Sequence, residues 1–194
     1  MTHTGAMPLK AIAFDWGHTL MNERRDADIP VETRPIHLMP GVAETLPRLD
    51  LPLALWANTR IATEAAARIW LDRAGLERYF RWVVTSVDAG ARKPAGAFFD
   101  YAVRRCGVSP DEILFVGNQL NADVAGGESY GIRTVWLSGS AYRSEDDRAV
   151  DTPPTYTILT MDELPELLRR ITEERYEPGS EDQSQANMKN MKDM

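Results

Sequence analysis

Short, largely apolar runs recur along the chain, and polar or glycine-containing segments separate them. Five of these runs have the length of a buried strand; they occupy residues 11–14, 53–56, 82–85, 113–116 and 134–137. A sixth and weaker run, at residues 156–159, indicates an edge strand. Short strands without an alternating polar face are typical of parallel sheets that are covered on both sides. The pattern therefore predicts a buried parallel sheet.

Segments rich in helix-forming residues lie between the predicted strands. They cover residues 41–49, 63–74, 95–105 and 121–130, and a final helix begins after Thr160. The spacing of Thr160 and Glu163 fits a capping box at the start of that helix. Strand and helix alternate at least four times, which predicts the α/β class. We expect a Rossmann-like, doubly wound parallel sheet with right-handed crossovers.

The length of 194 residues favours a single folded domain. We expect an N-terminal tail at residues 1–8 and the folded domain at residues 9–172. From about Glu173 onward the chain is polar, charged and poor in large apolar side chains. That composition predicts a disordered C-terminal tail at residues 173–194.

The charge and the composition exclude several classes of protein. A net charge of −7 without a basic stripe argues against a partner of the nucleic-acid class. The single cysteine, Cys106, excludes an internal disulfide. The sequence contains no apolar stretch of the length that a signal peptide or a membrane span requires. We therefore expect a cytoplasmic protein with no membrane partner.

Polar side chains follow the first, second and fourth predicted strands; these are Asp15, Asn58, Thr59, Asn118 and Asp123. Lys93 lies just before the helix at residues 95–105. The carboxyl ends of parallel strands meet at one edge of a sheet, where ligands bind. Asp15 alone fits the start of a turn equally well. Two acids and a lysine at one edge, however, suit phosphoryl transfer with an attacking carboxylate, Mg²⁺ on oxygen ligands and a stabilising ammonium.

Four segments carry a resemblance to a known family. In chain order they read AIAFDWGHTL, LALWANTR, VVTSVDAGARKP and ILFVGNQLNADVAGGESYGIRTVWL. With these segments, which cover roughly residues 9–137, the chain resembles the haloacid dehalogenase superfamily of hydrolases. The resemblance implies that the parallel sheet is the core of a hydrolase domain.

The resemblance also implies a role for each polar residue at the sheet edge. Asp15 would be the nucleophile that forms an aspartyl-phosphate, Thr19 would orient its loop, and Lys93 would pair with nucleophile and phosphate. The implied cofactor is Mg²⁺, and its ligands would be Asp15, the backbone carbonyl of Gly17, Asn118 and Asp123. The implied partner is a phosphorylated substrate.

The nucleophile loop departs from the family pattern at Gly17. Phosphatases of this family typically carry a second aspartate there, which acts as general acid and base. General acid–base catalysis is typically worth about 10²–10⁴-fold, so the turnover of ordinary phosphomonoesters should suffer. The neighbouring His18 titrates in the right range. It is therefore either a proton donor to the substrate or a loop histidine.

Two further departures affect the binding of phosphate and metal. Ala57 stands where the family has a phosphate-binding serine or threonine. Asn58 or Thr59 would then bind the substrate phosphate, unless they only cap the following helix. Asn118 replaces the usual first aspartate of its motif. Its amide oxygen can bind Mg²⁺, with one negative charge fewer and a lower affinity.

The segment at residues 21–39 is too short for the helical cap domain that many family members insert there. We therefore expect a domain without a cap and a site in which solvent reaches Asp15, unless a second subunit covers it. An open site favours a large or exposed substrate. The sequence leaves open whether the chain forms a homo-oligomer.

Three functions compete at this point. The first is a Mg²⁺-dependent phosphatase that acts on a phosphomonoester through an aspartyl-phosphate, with weak activity. The second is a catalytically impaired relative that binds phosphorylated ligands or protein partners, which Gly17, Ala57 and Asn118 favour. The third is a dehalogenase-like hydrolase, which the missing cap disfavours. Asp15, Lys93 and Asp123 favour an enzyme over a binding protein.

Overall fold

The computed structural model describes residues 7–24, 28–29, 33–140, 142, 145, 147 and 150–173. Its strands are β1 (Ala11–Phe14), β2 (Leu53–Ala57), β3 (Phe80–Thr85), β4 (Ile113–Gly117), β5 (Arg133–Leu137) and β6 (Tyr156–Ile158). Its α-helices are α1 (Val42–Thr45), α2 (Glu64–Arg73), α3 (Ser86–Ala89), α4 (Gly96–Cys106), α5 (Gly126–Ser129) and α6 (Leu164–Glu173). Among the described helices, none is both long and apolar enough to cross a lipid bilayer.

The six strands form one parallel sheet in the order β3-β2-β1-β4-β5-β6. The chain first builds outward from β1 through β2 to β3, and then returns to the other side of β1 with β4. This reversal creates a topological switch point between β1 and β4, and a crevice for ligands at their carboxyl ends. The predicted α/β class and Rossmann-like parallel sheet are confirmed.

The core lies on both faces of the sheet. In β1, Ile12 and Phe14 pack on one face with residues of α1, α2 and α6, while Ala11 and Ala13 face α4. Phe99 of α4 makes an edge-to-face contact with Phe115 of β4, with ring centroids 6.2 Å apart. Side chains of a strand alternate between faces. Because both faces are covered here, β1 has no polar position and its sequence is continuously apolar.

Several predicted helices have different boundaries in the structure. The helix expected at residues 41–49 is α-helical only over Val42–Thr45, and then tightens into a 3-10 turn at Leu46–Arg48 that contains Pro47. Proline lacks the N–H that would continue the α-helix. The helix expected at residues 121–130 begins as a π-helix over Leu120–Ala125 and becomes α-helical in α5. Helix α3 was not predicted, and Thr85 caps it by accepting from the N–H of Asp88 at 3.3 Å.

The segment between β1 and α1 contains no helix or strand in its described residues. Its pairing consists of two isolated bridges, between Gly17 and Met21 and between Met21 and Leu38. Residues 25–27 and 30–32 of this segment lie outside the described part of the chain. So do residues 1–6 of the predicted N-terminal tail and residues 174–194 of the predicted disordered tail.

Candidate active site

Asp15 directly follows β1, the strand at the topological switch point. Its N–H donates to the carbonyl of Val116 at 3.0 Å, which ties it to β4. Carboxylate oxygen Oδ1 accepts from Lys93 Nζ at 2.8 Å, and Oδ2 accepts from the Thr19 hydroxyl at 3.2 Å. An ammonium and a hydroxyl therefore hold the carboxylate in one orientation.

Lys93 reaches the same edge from the loop before α4, and its side chain is 1% exposed. Its ammonium donates to Asp15 Oδ1 at 2.8 Å, to Asp123 Oδ1 at 2.7 Å and to the carbonyl of Trp56 at 2.8 Å. Burial by itself lowers the pKa of Lys93, but the charges of Asp123 and Asp15 outweigh it and raise the pKa. Lys93 is therefore a buried cation whose three N–H groups are all used.

Asp123 completes this cluster from the π-helical turn after β4. Its second oxygen, Oδ2, accepts from the N–H of Gln119 at 3.0 Å. Burial raises the pKa of Asp123 to about 6; the charge of Lys93 opposes the shift and that of Asp15 adds to it. Gly117 is required for this placement, because a Cβ there would lie 2.4 Å from the Cβ of Asp123.

Thr19 and Asn118 connect the loops that follow β1 and β4. The Thr19 hydroxyl lies 3.2 Å from Asp15 Oδ2 and 3.2 Å from the amide oxygen Oδ1 of Asn118. Asn118 is fully buried, and its Nδ2 donates to the hydroxyl of Ser140 at 3.4 Å. The Asn118 side chain thus bridges the hydroxyls of Thr19 and Ser140.

The oxygen atoms at this edge are of the types that Mg²⁺ takes as ligands. Two buried carboxylates, Asp15 and Asp123, face the single ammonium of Lys93, which leaves one negative charge in excess. Carboxylate, amide and backbone carbonyl oxygens are the ligands that such a hard cation takes. Within the described ranges, no group of three His, Cys, Asp or Glu residues is arranged for a metal. The predicted set needs only two carboxylates, because Asn118 and the Gly17 carbonyl would supply the other protein oxygens.

Asn58 and Thr59 lie at the end of β2, but both are engaged with the protein. The side chain of Asn58 accepts from the Lys93 N–H at 2.9 Å and donates to the Lys93 carbonyl at 3.0 Å. The Thr59 hydroxyl donates to the carbonyl of Ala62 at 2.7 Å. Asn58 therefore positions the backbone of Lys93. The binding of substrate phosphate by either residue stays a prediction.

His18 packs beside the nucleophile loop with a left-handed backbone φ of 59°. Its ring stacks on Tyr142 at a centroid distance of 4.5 Å, and Arg24 lies over the same tyrosine ring at 5.9 Å. Burial and the charge of Arg24 lower the pKa of His18, against the opposing effect of Asp15. This environment favours the neutral imidazole, and a substrate-binding role for His18 stays a prediction.

Glu23 is a residue of the site that the sequence reasoning missed. A Cβ built on Gly17 would lie 2.8 Å from the carboxylate carbon of Glu23. The residue as a whole is exposed, whereas its carboxylate end lies against Gly17. Burial and the charge of Asp15 raise the pKa of Glu23, and Arg34 opposes them. The available signal was weak: Glu23 is the first acidic residue after Gly17.

The expectation of an openly accessible Asp15 requires correction. The Asp15 side chain is only 7% exposed, although the segment 21–39 that follows it forms no helical cap in its described residues. The cause is local, since both carboxylate oxygens turn inward to Lys93 and Thr19. The openness of the site therefore no longer supports a preference for large substrates.

Comparisons with known proteins identify relatives that include phosphatases. The chain is 33% identical over 141 residues to the pyrimidine 5'-nucleotidase YjjG of Escherichia coli, covering 69% of this chain and 60% of that protein. It is 32% identical over 138 residues to a glyceraldehyde 3-phosphate phosphatase of Methanopyrus kandleri, covering 70% of this chain and 58% of that protein. The chain thus spans about three-fifths of the length of these curated relatives.

The fold is also that of the crystallised HAD-hydrolase YfnB of Bacillus subtilis, which is described as bound to magnesium. The TM-score is 0.69 at 18% identity, and the match covers 84% of this chain and 99% of that one. At 18% identity this similarity shows that the two proteins share a fold.

The fold and the site together define a class: a doubly wound α/β protein with an Asp–Lys–Asp cluster at its topological switch point. A family model described as HAD-hydrolase-like matches residues 90–164, which include Lys93, Asn118 and Asp123. Together with the relatives above, this match shows that the chain is similar to the haloacid dehalogenase superfamily of hydrolases.

Proposed function

We propose that this chain is a Mg²⁺-dependent phosphatase that hydrolyses a phosphomonoester through an aspartyl-phosphate on Asp15. The observation that carries the proposal is the Asp15 carboxylate, held at the sheet edge by Lys93 and Thr19. The relative from Methanopyrus kandleri is named a phosphatase, which supports a phosphate ester as the substrate class.

Each residue of the cluster has a part in the proposed reaction. An oxygen of Asp15 attacks phosphorus, and the bond from phosphorus to the leaving oxygen breaks. Lys93 fixes the direction of that carboxylate and stabilises negative charge on the transferred group, while Thr19 holds the second oxygen. Mg²⁺, when bound by the oxygens of Asp15, Gly17, Asn118 and Asp123, would neutralise charge on the phosphoryl group.

A second candidate is a protein that binds phosphorylated ligands without turning them over. The observation that favours it is the missing side chain at Gly17, together with the deep burial of Asp15. The two candidates differ in whether the Asp15 oxygen can form a bond to phosphorus.

Beryllofluoride, which mimics an aspartyl-phosphate, separates the two candidates. With millimolar Mg²⁺ it should raise the melting temperature of the wild type, because it bonds to the Asp15 carboxylate and binds only the folded state. Asp15→Asn should remove the shift and all turnover in a screen of phosphorylated metabolites and phosphopeptides. Asp72→Asn, at an exposed position of α2, is the matched control and should retain both. A shift that persists in Asp15→Asn, or its absence from the wild type, contradicts the proposal.

A further inference from the structure

The carboxylate of Glu23 occupies the space that a side chain at position 17 would enter. A Cβ on Gly17 would lie 2.8 Å from Cδ, 2.8 Å from Oε2 and 2.9 Å from Oε1 of Glu23. A residue six positions further along the chain therefore brings a carboxylate to the nucleophile loop. The Gly17–Met21 bridge turns the intervening chain back so that this approach is possible.

Phosphoester hydrolysis through Asp15 needs a group that moves a proton at this site. The other acidic group of the cluster, Asp123, is bound on one oxygen by Lys93 and on the other by the Gln119 N–H. The ring of His18 stacks on Tyr142. Glu23 differs from both, because its carboxylate adjoins the nucleophile loop while the residue as a whole is exposed.

We infer that Glu23 is the proton-transfer residue of this site and acts in the place that Gly17 leaves empty. The inference rests on the phosphatase proposed above and adds to it a group that would touch the leaving oxygen and the attacking water. Gly17 has no side chain that could perform this proton transfer.

The proton balance closes over the two half-reactions. In the first, Asp15 bonds to phosphorus, the bond to the leaving oxygen breaks, and protonated Glu23 gives its proton to that oxygen, so that an alcohol leaves. In the second, water adds to phosphorus and passes a proton to the Glu23 carboxylate, while the bond from phosphorus to Asp15 breaks. Inorganic phosphate leaves, and both carboxyl groups return to their starting states.

The first test compares Glu23→Gln with the wild type on two esters. The value of kcat/KM reports the steps up to phosphorylation of Asp15, where an alkyl leaving group needs a proton and para-nitrophenolate needs little. Glu23→Gln should therefore lower kcat/KM about 10²–10⁴-fold for an alkyl phosphate and much less for para-nitrophenyl phosphate. It should also give a burst of para-nitrophenol, because hydrolysis of the aspartyl-phosphate is slow without a general base. Glu44→Gln, at an exposed position of α1, is the matched control.

The second test moves the carboxylate back to position 17. Gly17→Asp in the Glu23→Gln background should recover most of the alkyl phosphate activity and remove the burst. The aspartate at position 17 then supplies the carboxylate. Its side chain can be accommodated because only the flexible end of residue 23 has to move. A merely structural role for Glu23 predicts equal losses on both esters and no recovery.

The outcomes distinguish this inference from the proposed function. If Glu23→Gln keeps the wild-type kcat/KM on both esters, or lowers both equally, the inference about Glu23 is overturned. An Asp15-dependent beryllofluoride shift would still support the phosphatase proposal in that case. If the wild type shows neither the shift nor hydrolysis, both are overturned. Selective loss on the alkyl ester with recovery by Gly17→Asp supports both.

Discussion

Lys93 is the residue on which the candidate site depends most. Its ammonium connects Asp15 after β1, Asp123 after β4 and the carbonyl of Trp56 on β2, so one side chain links the ends of three neighbouring strands. Asn58 in turn holds the Lys93 backbone by two hydrogen bonds. The same buried cation thus contributes to the architecture of the sheet edge and to its chemistry.

Replacing Lys93 should therefore destabilise the protein as well as inactivate it. Lys93→Met leaves two buried carboxylates without their cation, and breaking a buried ion pair costs about 3–5 kcal/mol. Urea unfolding at neutral pH measures this loss. The matched control is Lys10→Met, since Lys10 is 55% exposed in its pair with Glu112, and surface pairs contribute about 0–1 kcal/mol. Equal losses of unfolding free energy in the two variants would contradict this expectation, because the buried ion pairs of Lys93 would then stabilise the protein no more than a surface pair does.

Cys106 offers a second test at the level of a single residue. It is buried at the end of α4, and burial raises the pKa of its thiol to about 11. The reactive form is the thiolate. We expect a thiol reagent at pH 8 to label Cys106 slowly in the native protein and quickly in urea. Labelling at equal rates would place the thiol in solvent.

The raised thiol pKa also has a consequence for stability. The folded protein holds the Cys106 proton more tightly than the unfolded chain, whose thiol has a pKa of about 8.5. The contribution of this group is therefore complete below the unfolded pKa and decreases as the pH rises toward about 11. Relative to Cys106→Ala, the wild type should lose unfolding free energy over that window, which urea titrations at several pH values measure.

At the scale of elements, the turn after β4 places the second carboxylate. The π-helical segment Leu120–Ala125 begins with the N–H groups of both Asp123 and Val124 donating to the carbonyl of its N-cap, Gln119, at 3.0 and 3.2 Å. Single π-turns inside helices occur frequently at functional sites. Here the turn aims Asp123 at Lys93, and Gly117 leaves room for it.

Gly117→Ala tests the placement of that turn. The added Cβ would come within 2.4 Å of the Asp123 Cβ, so the turn must shift. Overpacking of this kind costs about 1–3 kcal/mol, and the displaced Asp123 should also weaken the beryllofluoride shift. Gly96→Ala is the control, because a Cβ there meets no atom within 4 Å. A Gly117→Ala protein with wild-type stability and an unchanged shift would contradict this account.

At the scale of the whole molecule, the parallel topology brings distant parts of the chain to one edge. Asp15 and Lys93 are 78 positions apart, and Thr19 and Asn118 are 99 apart, yet both pairs are in hydrogen-bonding contact. Asp15, Thr19 and Asn118 lie in loops at the carboxyl ends of β1 and β4, which adjoin at the switch point, whereas Lys93 lies in the loop between α3 and α4. The chain spans about three-fifths of the length of its curated relatives.

Local sequence patterns are enough to predict the class of the fold and the types of group at the sheet edge. The apolar runs 11–14 and 113–116 indicate strands covered on both faces, because a strand with one solvent face would alternate. Acids and a lysine after such runs indicate a polar edge, and the structure brings Asp15, Lys93 and Asp123 together there. Their catalytic and metal-binding roles stay predictions.

How these groups face one another depends on contacts between distant parts of the chain. Periodicity cannot reveal that Asn58 turns to the Lys93 backbone, or that Asp15 is 5% exposed, because both depend on contacts between separate strands and loops. The position of Glu23 against Gly17 depends on the path of a segment without helix or strand in its described residues, where no repeating pattern constrains the chain. Local sequence therefore predicts which residues reach the edge, and long-range packing decides which atoms meet.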